Sequence, residues 1–193
     1  MFEKLYSYIN RRVPITEEQF DVIKREFIPK SVKKGEFLLR EGEIAKYSIF
    51  VTLGCLRTYT VDNKGKEHIT QFSPEDWWTG DMNSLIKEAP SECFIEALED
   101  SEVLLAEKGY LEKMMQVVPG VALSYQAGLE KSLIARNQRI VASLSASAEE
   151  RYNDFMKTYP SLAQRVPQHM IASYLGVSPE TLSRIRKQQS QKR

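Results

Sequence analysis

Gln168-His169-Met170-Ile171-Ala172-Ser173-Tyr174-Leu175-Gly176-Val177-Ser178-Pro179-Glu180-Thr181-Leu182-Ser183-Arg184-Ile185-Arg186-Lys187 reads as two short helices joined by one tight turn. In the first, Ile171, Ala172 and Leu175 fall on one side at helical spacing. Gly176 supplies the turn, because a residue without a Cβ enters positive φ at little cost. Val177 plugs the angle between the helices. Ser178 stands where an N-cap oxygen is needed, and Pro179 takes the first helical position, where a missing N–H is harmless. At about 100° per residue, Leu182 and Ile185 share one face of the second helix, and Glu180, Ser183, Arg184 and Lys187 share the opposite one. A short helix anchored by two aliphatic side chains and offering a polar, basic strip outward is what reading a major groove requires. A lone glycine between helices is common, and so is a basic amphipathic helix. The set Ala172, Gly176, Val177, Leu182 and Ile185 at fixed offsets is much rarer. It favours a DNA-binding helix-turn-helix; the alternative is a helical hairpin used for protein contact.

Chemistry assigns the roles. Arg184 offers two hydrogen bonds to guanine O6 and N7, and Glu180 accepts from cytosine N4; Pro179 joins them at the base-facing start of the helix. Glu180 and Arg184 stand four apart with the acid first, a spacing that also lets them pair with each other. Gln168, Ser178, Thr181 and Ser183 suit phosphate contacts, which position the protein without reading sequence. Arg186, Lys187 and the Lys192-Arg193 tail add salt-sensitive affinity.

Charge is distributed to match. Residues 161–193 hold six Lys or Arg against one acid, Glu180, a balance of +5; the other 160 residues hold 21 basic and 25 acidic side chains, a balance of −4. A basic end on an acidic body suits a polyanion-binding module joined to a non-binding domain. Charge alone fits a solvated tail equally well, so the residue pattern decides.

Upstream, Ser147-Ala148-Glu149-Glu150 is a capping box opening a helix with Tyr152, Phe155 and Met156 that ends before Pro160. Pro119-Gly120 precedes a stretch with few breakers, Val121 to about Leu144. On it Leu129, Leu133, Arg136, Ile140 and Leu144 form a stripe, with Tyr125, Ser132, Ala135 and Arg139 on an adjoining face. A helix of that length spans roughly 36 Å, more than a domain of this size needs, so a two-helix seam between subunits is expected over plain packing. From Val32 to Glu107 the texture is β: Phe37–Leu39, Ser48–Leu53, Leu56–Val61, His68–Phe72, Phe94–Leu98 and Val103–Ala106 alternate with Gly, Asp and Asn. Many short strands with frequent turns indicate an antiparallel barrel or jelly roll. Its clearest piece is a hairpin through Asp62–Lys66 with Gly65 free to take positive φ. Thr16-Glu17-Glu18-Gln19 is another capping box, and Phe20, Ile23, Phe27 and Ile28 extend a helix near 17–28 until Pro29.

The 193 residues, 42% apolar and 27% charged, suit a chain that buries a core. No run of about 18 apolar residues exists, so no membrane-spanning helix is expected. Met1-Phe2-Glu3-Lys4-Leu5-Tyr6 lacks a basic n-region and a continuous apolar stretch, and is not read as a signal peptide. Cys55 and Cys93 are too few and too far apart for a metal knuckle and suit reduced thiols in a cytoplasm.

Gly176-Val177-Ser178-Pro179-Glu180-Thr181-Leu182-Ser183-Arg184-Ile185 resembles the helix-turn-helix of the CRP/FNR family of bacterial transcription regulators. Lys34-Gly35-Glu36-Phe37-Leu38-Leu39-Arg40-Glu41-Gly42-Glu43 resembles the opening of that family's β-roll, and the run to Trp78-Thr79-Gly80-Asp81 occupies later positions of it. The resemblance covers roughly 30–187. It implies an α+β fold: an antiparallel jelly-roll β-roll of the cyclic-nucleotide-binding-like kind (1–118), a long dimerisation helix (119–145) and a small helix-turn-helix domain (146–193). It also implies a homodimer on a two-fold-related double-stranded DNA site, with RNA polymerase as a further partner.

The departures bear on the signal sensed. Family members that bind cyclic nucleotides grip the cyclic phosphate with an Arg-Ser/Thr pair just before the strand matching Cys93–Leu98; here Ser91 and Glu92 stand there. A carboxylate repels a phosphate, and without the arginine no charge-assisted bond compensates. Gly80-Asp81-Met82-Asn83 resembles the start of that phosphate cassette, so Gly80, Asp81, Met82, Asn83, Ser91 and Glu92 form the candidate ligand pocket. Usual cyclic AMP binding is not expected of it; a cyclic-nucleotide-responsive regulator is the alternative. Two separated cysteines do not make an iron–sulfur ligand set, and neither His68 nor His169 stands out as a haem ligand, so no cofactor is expected. The β-hairpin wing usual after the family's recognition helix has no counterpart before Arg193. An enzyme reading needs clustered His and carboxylate metal ligands in the barrel, where His68 is the one histidine; no Walker-type loop or nucleophile elbow is found, and no catalysis is expected.

Overall fold

The structure, a computed structural model, describes residues 1–191 apart from the side chains at positions 124, 127–129, 131, 132, 135, 136, 190 and 191. It forms two compact units, one of Met1–Val61 with Thr70–Leu129 and one of Asp62–Ile69 with the chain from Glu130 onward.

The first unit is built on two antiparallel sheets. One orders β1 (Phe27–Val32), β8 (Ser101–Glu107), β3 (Tyr47–Leu53) and β6 (Trp78–Thr79); the other orders β2 (Phe37–Leu39), β7 (Phe94–Ala97), β4 (Leu56–Val61) and β5 (Glu67–Ser73). Side chains alternate across a strand, and both faces of the first sheet are used. Val32, Ile49, Val51, Val103 and Leu105 point between the sheets, against Leu39, Leu56, Ile95 and Ala97 of the second. Phe27, Phe50, Leu104 and Ala106 point the other way, into a helical layer from α1 (Phe2–Asn10), α2 (Glu17–Lys24) and α4 (Tyr110–Val117), with Leu5, Ile9, Phe20, Ile23 and Met114 buried there. Burial on two faces explains the unbroken apolar runs at Ile49–Val51 and Val103–Ala106.

The expected helix at 17–28 is shorter than its periodicity suggests. Its capping box forms as read, Gln19 N–H donating to Thr16 Oγ1 at 3.3 Å and Thr16 N–H to Gln19 Oε1 at 2.9 Å. The helix ends at Lys24, and Phe27 and Ile28 begin β1, where Phe27 pairs with Ala106 and Ile28 with Leu105. Long-range pairing outweighs the local period. Pro29 lies within this strand at the sheet edge, where a residue lacking N–H is tolerated.

The second unit begins with the tip of the β4–β5 hairpin. Asp62 Oδ1 accepts from the Lys64 and Lys66 amides at 2.8 and 3.0 Å, and Gly65 takes φ +76°. Asp62 Oδ2 lies 2.8 Å from His68 Nε2. That contact first, then the two amides, hold the carboxyl down to about 2.

Its helices are α5 (Val121–Ser145, in this unit from Glu130), α6 (Ala148–Thr158), α7 (Leu162–Arg165), α8 (Gln168–Leu175) and α9 (Pro179–Gln191). The Ser147 capping box is reciprocal, with bonds of 3.2 and 2.7 Å to Glu150. Tyr152, Phe155, Leu162, Ile171, Leu175, Leu182 and Ile185 are buried as its core. No helix among the described residues is long and apolar enough to cross a membrane.

Candidate nucleic-acid interface

The turn between α8 and α9 takes the geometry that its residues favour. Gly176 adopts φ +66° and ψ +36°, and Val177 N–H reaches back to Ala172 O at 3.0 Å, the long bond of a Schellman turn. Ser178 then caps α9: its Oγ accepts from Thr181 N–H at 3.2 Å and its carbonyl from Leu182 N–H at 3.1 Å. Leu182 and Ile185 are buried, at 0% and 5% exposure, against a floor that includes Ile171, Ala172 and Leu175. Gln189 Nε2 donates to Asn153 Oδ1 at 2.7 Å and pins the far end of α9 to α6. That anchor lies beyond the Lys187 end expected from sequence, in the extra turn that takes α9 to Gln191.

With α9 held from beneath, Pro179, Glu180, Ser183, Arg184 and Lys187 are all exposed, as is Gln168 at the start of α8. Thr181 is half-buried. Arg186 is also half-buried; at 100° per residue it lies roughly 110° from the middle of the strip, beside Leu182 and Gln189. Glu180 and Arg184 make no ion pair among the described residues; the Ser178 hydroxyl, then the Glu180 amide, lower the Glu180 carboxyl below its ordinary range. Arg184 thus presents its charge outward, and Lys187 is exposed on the same helix face. Lys192 and Arg193 lie outside the described residues.

α5 carries a second exposed feature. Leu133, Ile140 and Leu144 of the expected stripe are 59%, 58% and 82% exposed, whereas the side chains of Leu129 and Arg136 lie outside the described ones. Ile134 and Val141, outside the expected stripe, are 57% and 61% exposed. They repeat the seven-residue spacing of Leu133 and Ile140, the interval that keeps an apolar seam on one side of a helix.

Of the candidate ligand-pocket residues, Asp81 and Ser91 are brought together, and they bond to each other. Asp81 caps the short helix α3 (Met82–Lys87), its Oδ1 accepting from Ser84 N–H at 3.0 Å and its Oδ2 from the Ser91 hydroxyl at 2.8 Å. Ser91 is buried, and its Oγ also accepts from Cys93 N–H at 3.1 Å. Gly80 takes φ +150° against the carbonyl of Tyr47, while Met82, Asn83 and Glu92 face outward. Two cavities in the first unit, of about 90 and 410 Å³, are lined by other residues, among them Leu38, Ile49 and Ile95 in the smaller and Ile44, Leu85 and Lys108 in the larger.

Residues 29–117 match the cyclic nucleotide-binding domain family. Over 181 residues the chain is 25% identical to "Electron transport regulator A" of Shewanella oneidensis, covering 86% of this chain and 68% of that protein. It is also 25% identical over 176 residues to "Transcriptional activator protein FnrA" of Stutzerimonas stutzeri, covering 86% and 70%. Among solved structures, FixK2 from Bradyrhizobium japonicum superposes with a TM-score of 0.73 at 24% identity, covering 86% of this chain and 85% of that one.

Proposed function

We propose that the chain is a transcription regulator of the CRP/FNR family and that it binds double-stranded DNA as a homodimer, with α9 as the helix that reads bases. The observation that carries this reading is the exposed strip of Glu180, Ser183, Arg184 and Lys187 on a helix whose opposite face is sealed by Leu182 and Ile185. Arg184 is the guanine reader, Glu180 accepts from cytosine, and Pro179 abuts the same base edges. Gln168, Ser183 and Lys187 meet phosphates; Ser178, occupied as a cap, and Thr181 and Arg186, half-buried on either side of the strip, stand at the margin of the contact. The exposed apolar residues of α5 form the seam to a second copy, which sets two half-sites about 34–36 Å apart. RNA polymerase is the further partner such a regulator addresses.

The β-roll of this regulator does not take cyclic AMP in the usual way. Ser91 is bonded to Asp81 within the protein, Glu92 adds a negative charge beside it, and the Asp81 carboxylate fills the start of α3 where a phosphate would sit. A gel-shift series on duplexes selected with the unaltered chain tests the reading. Arg184→Ala should lose roughly 1–3 kcal/mol and relax preference at one position, while Lys187→Ala weakens all sequences alike and lowers the salt slope by about 1. Binding with no sequence preference in the unaltered chain contradicts it and favours a hairpin used for protein contact.

A further inference from the structure

Within the second unit, three elements meet at a polar joint that the recognition surface does not use. Ser173, on α8, donates its hydroxyl to Glu67 O at 2.9 Å and accepts from Ile69 N–H at 3.2 Å, closing on the β4–β5 tip as a neighbouring strand would. Arg139, on α5, donates from Nη2 to Ile69 O and to Tyr174 O, each at 3.0 Å. Its guanidinium lies 4.0 Å from the centre of the Tyr174 ring. That ring in turn packs on Phe155 and Tyr159 of the α6 region, with centroids 5.6 and 5.9 Å away. One guanidinium nitrogen bridges two carbonyls while the planar group lies over a ring, and a lysine has no plane to stack as it donates.

The buried core of α6, α8 and α9 holds the helix-turn-helix together. The Arg139–Ser173 joint has a different position in the unit: it ties α8 and the hairpin tip to α5, the helix that carries the exposed apolar stripe. We propose that Arg139 and Ser173 are positioning residues that set the angle between the helix-turn-helix and α5, and hence the distance between the two recognition helices of a dimer. The joint leaves the α9 strip uncovered, so it aims the reader rather than masking it. This inference rests on the dimeric DNA-binding reading.

The test compares duplexes carrying the two selected half-sites at their selected separation, the same duplexes with two base pairs inserted or removed between them, and a single half-site. The unaltered chain should bind the selected separation best. Ser173→Ala and Arg139→Lys each remove one or two hydrogen bonds; they should lose on the order of five- to thirty-fold on the selected separation. Both should bind the three separations almost equally, with single half-site affinity unchanged, and Ser173→Thr, which keeps the hydroxyl, should restore the separation preference. Variants that keep the sharp preference of the unaltered chain overturn the proposal. So do variants that lose the single half-site as well, because the residues would then hold the reader together instead of aiming it. An unaltered chain that binds no duplex sinks the functional reading itself, an outcome distinct from both.

Discussion

Replacing Ile140 by alanine should weaken the dimer, and the size of the effect follows from exposure in the single chain. Fully burying an isoleucine side chain contributes about 1.5–3 kcal/mol. Ile140 is 58% exposed, so a partner helix has somewhat over half of that still to add, about 0.9–1.7 kcal/mol. A two-fold interface contains the side chain twice, and Ile140→Ala removes both copies, for about 1.7–3.5 kcal/mol in all. That corresponds to roughly a 20- to 400-fold rise in the dimer dissociation constant. Leu133, Ile134, Val141 and Leu144 are as exposed or nearly so, and leave enough apolar surface for a weakened dimer to be measured rather than lost. Sedimentation equilibrium over a range of protein concentrations reads the constant directly, and far-UV circular dichroism checks that α5 is retained. A dissociation constant within twofold of the unaltered chain, with the helix intact, refutes the seam.

Three further outcomes follow from the same structure. Gly176→Ala should cost about 1–2 kcal/mol of stability through backbone strain at φ +66°, with no clash because nothing lies within 4 Å of the added Cβ. Gly176→Asn should cost less, and equal denaturation midpoints for the two would contradict this account of the turn. Leu182→Ala empties a fully buried site and should destabilise the second unit by about 2–5 kcal/mol, seen as an early unfolding transition in denaturant; an unchanged transition rules out its role as anchor. The Asp62 carboxyl is depressed to about 2, so the turn's stabilisation is complete above the unfolded value near 3.9 and disappears as pH falls towards 2. The Lys64 and Lys66 amide resonances should therefore titrate with a midpoint about 2, and a midpoint near 4 would show that His68 and the amides do not hold the charge.

What the sequence reveals here is mostly what is local. Gly176, Ser178 and Pro179 act within four residues of themselves, and α8, the turn and the start of α9 lie where those residues put them. Thr16 and Ser147 likewise announce α2 and α6, because each capping box is complete in four positions. α1 and α4 lack any side-chain cap bond and so carry no four-residue signal, although Phe2, Leu5, Tyr6 and Ile9 repeat at helical spacing. Phe27 and Ile28 mislead for the opposite reason: their spacing continues a helix, and only pairing with β8, nearly eighty residues on in the chain, makes them a strand. On α5 the exposed apolar surface is one residue wider than the expected stripe, since Ile134 and Val141 stand beside it and single-row periodicity does not count neighbours. The joint at Ser173 was invisible, because its hydrogen-bond partners lie 104 and 106 residues away. Arg186 is a basic contact by composition alone; its half-burial and its place beside the exposed strip depend on which face Leu182 and Ile185 bury.

The most direct test of the whole account is retention of random-sequence double-stranded oligonucleotides by the purified chain at low ionic strength, followed by sequencing of what is kept. Successive rounds should enrich two-fold-related half-sites about one helical turn apart between centres, with retention falling steeply as salt is raised. Duplex that passes through unretained, or is retained without any sequence emerging, contradicts the claim that α9 reads DNA.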